Sequence, residues 1–92
     1  MYNISRYTYN QAKKLNVIVR PSKLKNKKID VFNQYGVKLA SVGDRRYLDY
    51  PGFIKKYGKH YADYRRLLYK LRHSKDRKVK NSPGYFADRL LW

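Results

Sequence analysis

Residues 57–77 read YGKHYADYRRLLYKLRHSKDR, and the fold turns on how this stretch is read. Tyr57, Tyr61, Tyr64, Leu68 and Leu71 recur at alternating spacings of four and three, with Ile54 three residues before them. That rhythm lays them along one stripe of an α-helix. Lys59, Arg66, Lys70 and His73 keep a similar spacing, offset by half a turn. The expectation is a long amphipathic helix ending near Ser74. Its aromatic and aliphatic stripe should pack on the rest of the chain, and its cationic side should meet water or a polyanion.

Upstream, Asp49, Tyr50, Pro51 and Gly52 open a shorter helix that runs to Tyr57. Proline suits a first helical turn, and an Asp before it can cap the exposed N–H groups. Gly58 then predicts a kink or a break. Downstream, SKDRKVKN over 74–81 reads as a basic linker. Ser82 and Pro83 start a last helix, which Phe86, Leu90 and Leu91 can dock. A terminal LLW should be packed down.

The N-terminal half has a different rhythm. Thr8 and Gln11 match a capping box, which predicts a helix over 9–15 stopped by Asn16. Residues 17–19 are β-branched and read as a strand, which Pro21 ends or holds at a sheet edge. Residues 28–32 and 37–42 read as two more strands. Between them Gly36 can supply the positive φ of a short hairpin loop. Ile29 and Val31 share one face, as do Val37 and Leu39. Gly43, Asp44, Arg45 and Arg46 form the exit turn. The predicted fold is α+β: a short N-terminal helix, a small three-stranded antiparallel sheet with one hairpin, then a helical half with one long amphipathic helix and a docked C-terminal helix. Residues 1–92 are expected to form a single small domain without a separate linker or tail domain.

At 92 residues the chain can bury one modest core. Eleven Tyr, three Phe and one Trp predict that this core is aromatic, with hydroxyls at its rim. The 23 Lys and Arg face six acids, all Asp, for a net charge of +17. Self-repulsion at that charge opposes folding, and a polyanionic partner would relieve it. Cysteine is absent, which excludes disulfides and thiolate metal sites. No apolar run approaches the ~20 residues that span a bilayer. The start MYNISRYTYN lacks the basic-then-apolar order of a signal peptide. A soluble protein without membrane insertion is expected.

Catalysis has little to stand on. There is no Cys nucleophile and no Glu, and no carboxylate cluster surrounds His60 or His73. His60 and Asp63, at i and i+3, read as a helix-surface contact, with His60 at the core rim beside Leu67. No glycine-rich phosphate loop, zinc finger, RRM signature or basic zipper is present. The chain is therefore expected to be no enzyme, to hold no cofactor or metal, and to recognise no base sequence.

Binding rests on charge. Arg45, Arg46, Lys55, Lys56, Lys59, Arg65, Arg66, Lys70, Arg72, Lys75, Arg77, Lys78 and Lys80 all lie within 45–80, opposed only by Asp49, Asp63 and Asp76. Lys25, Lys27 and Lys28 belong to a Lys-rich stretch that reads either as a solvated loop or as a phosphate-contacting arm. Tyr69 projects beside Arg65, Arg72 and His73. It reads as a base- or sugar-contacting ring, or else as a cover for the sheet or the last helix.

Taken together, YTYNQAKKL, PSKLKNKKIDVF, the hairpin ending in ASVG, DYPGFIKKYGKHYADYRRLLYKLRH and the close KDRKVKNSPGYFADRLLW resemble a family of small basic proteins of unknown function from large DNA viruses of algae and protists. The resemblance spans nearly the whole chain, and SPGYFADRLLW is its most specific part. It implies a viral origin and a place in the virion interior or the infected host cell. It implies no catalytic residue. The leading functional expectation is non-specific double-stranded DNA binding that neutralises or condenses a viral genome. The alternative is a minor capsid or core structural protein that glues protein layers. RNA binding comes third, and a membrane-surface role fourth.

Overall fold

The computed structural model describes residues 2–92. The chain runs α1 (Arg6–Leu15), β1 (Ile18–Pro21), β2 (Lys27–Phe32), β3 (Lys38–Asp44), α2 (Tyr50–Tyr57), α3 (Lys59–Arg72), a 3-10 turn (Asp76–Lys78) and α4 (Pro83–Leu90). The α+β architecture is the one expected, helix first and sheet second. The sheet is antiparallel in the order β1-β2-β3, so Pro21 sits on an edge strand, opposite Ile29.

Local chemistry sets most element ends. Asn16 closes α1 in the left-handed region (φ 59, ψ 43), with its N–H turned back to the last carbonyls of the helix. Gly36 takes φ 82 in the hairpin, which glycine accepts without a Cβ clash. Asp49 caps α2 by accepting from the Gly52 N–H at 3.0 Å, and Ser82 caps α4 by accepting from Tyr85 N–H at 3.1 Å. Gly58 breaks the helical half outright. At φ 92 and ψ 163 it ends α2 and begins α3 in a conformation almost reserved for glycine.

Two expectations fail locally. The first helix starts at Arg6, three residues before the expected start, because Ser5 is its cap and accepts from Thr8 N–H at 3.2 Å. Thr8 is thereby freed for a tertiary role, and its hydroxyl donates to the Leu90 carbonyl at 2.8 Å. In β3 the core face is Ala40 and Val42, while Val37 precedes the strand and is exposed. An irregularity in pairing at Val31 and Phe32 shifts the register there.

The main core lies between the sheet, α1 and α4. It is built from Ala12, Val19, Ile29, Val31, Ala40, Val42, Phe86, Leu90 and Leu91. The C-terminus is packed down as expected: Leu91 is buried, and its carbonyl accepts from Tyr50 N–H at 3.0 Å. A second, smaller cluster joins Tyr50, Phe53 and Ala62, with Tyr7 and Trp92 against it. It links α2 and α3 to the rest.

Candidate nucleic-acid interface

The helix that organises the chain faces the other way from its hydropathy rhythm. Ala62 is fully buried and Tyr69 nearly so, whereas Tyr57, Tyr64 and Leu71 of the expected stripe are 55–65% exposed, as is Leu67 beside it. Tyr61 and Ile54 are exposed as well. The expected core stripe is thus on the outside, together with His60, and only Leu68 is half-buried. The physical reason is on the inner face. Arg66 lies 4.1 Å over the Tyr50 ring, Arg65 lies 5.2 Å over the Phe53 ring, and Lys70 reaches Asp88 on α4 at 2.7 Å. Cation–π contacts and an ion pair to a buried carboxylate hold this face without a purely apolar seam.

The fate of the expected binding residues follows. Lys59, Arg66 and Lys70 do not form a free cationic face. Lys59 pairs with Asp63 at 2.9 Å, Arg66 approaches Asp63 at 3.8 Å, and Lys70 is engaged by Asp88. Lys28 is buried and pairs with buried Asp49 at 3.1 Å, so its role is structural. Tyr69 is buried, stacked on Trp92 (4.4 Å, 7°) and on His73 (4.4 Å, 28°), so it packs against the residue after the last helix and is not displayed at the surface. Burial raises the Tyr69 phenol to about 12, and the Asp88 and Asp76 charges add to this.

Other basic residues are brought together from distant parts of the chain. The Arg45 N–H donates to the Asn26 carbonyl at 3.0 Å and its guanidinium reaches the Lys25 carbonyl at 3.4 Å, which clamps the exit turn to the Lys-rich loop. Exposed Lys25, Lys27, Arg45 and Arg46 therefore share one corner. That corner adjoins a cleft of about 790 Å³ between the end of the sheet, α2, α3 and α4. Lys27, Tyr47, Arg65, Arg72 and His73 line it with Phe53, Tyr69 and Trp92. Two carboxylates also line it. Asp44 is held by Arg46 at 2.8 Å and Asp76 is 3.6 Å from His73. Hydrogen bonds from Arg46 lower the Asp44 carboxyl to about 2, so it stays ionised and occupied.

Lys75, Lys78 and Lys80 are exposed beyond α3, with Arg77 half-buried, and Lys55 and Lys56 are exposed on the last turn of α2. The cleft draws in Tyr47, Phe53 and Trp92, which sequence reasoning missed as site residues. The position of Tyr47 directly after Arg45 and Arg46 was the available signal.

Among the described residues no group of three or more His and Asp side chains could hold a metal ion. Among the described residues no helix is long and apolar enough to cross a membrane. Compared with models of protein families, with curated proteins and with solved structures, the chain shows no match.

Proposed function

We propose that this protein binds nucleic acid without reading sequence, duplex DNA foremost, and neutralises or condenses it through Lys and Arg contacts to phosphate. The observation that carries this reading is where the negative charge goes. Five of the six Asp are engaged inside the molecule, Asp30 by Ser41 and Lys38, Asp44 by Arg46, Asp49 by Lys28, Asp63 by Tyr50 and Lys59, and Asp88 by Lys70, while Asp76 is mostly exposed with His73 3.6 Å away. The excess of 17 cations is left to find its counter-charge outside the chain. Phosphate contacts release condensed counterions, which drives binding at any sequence. The viral origin implied by the resemblance makes a viral genome the natural target, in the virion or the infected cell.

The test is a salt titration with random-sequence duplex DNA. For ~6–10 phosphates contacted, affinity should fall by roughly 10³–10⁵ between 50 and 200 mM salt. A flat response, or a strong preference for one sequence, overturns the reading. Competition with RNA decides between the two nucleic acids.

A second reading has its own support. The outward Tyr57, Tyr64, Leu67 and Leu71 leave an apolar helix face of the kind that marks a protein contact. That favours a structural protein gluing layers of a particle. Retention in nuclease-treated particles supports this second reading, and release supports the first.

A further inference from the structure

We propose that the cleft beneath α3 takes one unpaired nucleotide of a bound strand, with its phosphate on Arg65 and Arg72 and its base beside Tyr47. This deepens the nucleic-acid reading and rests on it. The cleft has about 790 Å³, within the ~300–1,000 Å³ of small-molecule pockets. A phosphate alone would need only a fraction of that room. Beside two carboxylates and several aliphatic side chains, the lining carries cations and rings, which suits a ligand with a charged end and a flat end.

Of the lining cations, Lys28 is taken up by Asp49 and Arg65 lies over the Phe53 ring. Among the described residues neither Arg65 nor Arg72 forms an ion pair with a carboxylate, and of the lining carboxylates Asp44 already has Arg46 while Asp76 is mostly exposed. The Nε of Arg65 is buried and has no hydrogen-bond partner in the protein. That atom is closed to solvent, so a phosphate would meet the terminal guanidinium nitrogens, which can grip it as a fork. Tyr47 is 66% exposed, the freest ring of the lining. Trp92 and Tyr69 are already stacked on each other. A base inside a duplex cannot enter a concave site of this kind, so the ligand is a nucleotide out of the stack.

Trp92 lines the cleft and is the only tryptophan, so its emission reports occupancy. The experiment titrates the full chain with oligothymidylate of ~8 nucleotides, thymidine monophosphate, random duplex DNA and inorganic tripolyphosphate. Binding of a labelled oligonucleotide is followed in parallel by anisotropy. Oligothymidylate should change Trp92 emission saturably, and Tyr47→Ala should weaken this about tenfold. Arg65→Gln with Arg72→Gln should do the same, and tripolyphosphate should leave the emission unchanged. Tyr47→Ala alone decides the matter if the double variant does not fold. Anisotropy binding without a Trp92 response, and indifferent to Tyr47→Ala, overturns the cleft and leaves the nucleic-acid reading standing. An equal response to tripolyphosphate reduces the cleft to an anion site, and a response to the mononucleotide without strand binding reduces it to a small-molecule site. Either result overturns the proposal. Absence of any nucleic-acid binding removes both readings together.

Discussion

Asp49 does three things with one carboxylate. It accepts from Gly52 N–H as the cap of α2, pairs with the Lys28 ammonium and accepts from the Tyr2 hydroxyl. Both members of the Lys28–Asp49 pair are buried. Removing one charge of such a pair strands the other in a low-dielectric site. Asp49→Asn keeps a capping oxygen but leaves Lys28 unneutralised, so chemical denaturation should show a loss of about 3–5 kcal/mol. Asp49→Ala should lose ~1 kcal/mol more, because the cap goes as well. Lys70 carries a milder version of the same logic. Its partner Asp88 is buried while Lys70 itself is about a third exposed. Lys70→Gln should therefore destabilise the fold, by on the order of 1–3 kcal/mol. A free surface lysine would have predicted no change, so the melt of this one variant tests the orientation of α3.

At the level of elements, α3 departs furthest from what its sequence suggests. Leu67→Ser with Leu71→Ser should move stability by no more than ~0.5 kcal/mol, because both side chains are already in water. Phe86→Ala, at the centre of the core between α4 and the sheet, should cost about 3–5 kcal/mol. If the two leucines prove as costly as Phe86, α3 packs by the face that carries Leu67 and Leu71 after all. The joint between α2 and α3 has its own test. No atom lies within 4 Å of where a Gly58 Cβ would sit, so space is not the constraint. The backbone is, at φ 92, and Gly58→Ala should cost roughly 1–3 kcal/mol in thermal melts with no change in core packing.

For the whole molecule, charge sets the pH range of stability. The Tyr50 hydroxyl and then the Lys59 ammonium hold the Asp63 carboxyl below its usual range, and Arg46 does the same for Asp44. These carboxyls bind protons less readily folded than unfolded. Their contribution is present above pH ~4 and is lost as pH falls through the folded values. It is small, since both groups face solvent and are screened. The alkaline side is governed by phenols. Burial raises Tyr2 and Tyr69, the latter to about 12, so both keep their protons longer folded than unfolded. That stability is complete below pH ~10 and is lost as pH rises towards and through 12. Melting temperature should therefore hold a plateau from about pH 5 to 9 and fall on either side. Tyr69→Phe keeps the stack on Trp92 and removes one late-titrating phenol, so its alkaline limb should be shallower than that of the wild type.

The sequence by itself determined the elements and most of their ends: the left-handed stop at Asn16, the Gly36 hairpin, the Asp49 and Ser82 caps, the break at Gly58. It also determined the surplus of positive charge. These follow from chemistry within a few residues, where one side chain and its neighbouring backbone groups are enough. By local pattern Thr8 outranks Ser5 as the cap of α1, because Gln11 follows it at capping-box spacing, while the partner of the Thr8 hydroxyl, the Leu90 carbonyl, is 82 residues away. Only the tertiary structure decided which face of α3 turns inward. Hydropathy counts Arg65, Arg66 and Lys70 as outward residues, yet each can be held inside when an aromatic ring or a buried carboxylate from another element meets it. The cleft was hidden for the same reason. Tyr47, Arg65 and Trp92 come from three separate stretches, and no local spacing shows that they share one space.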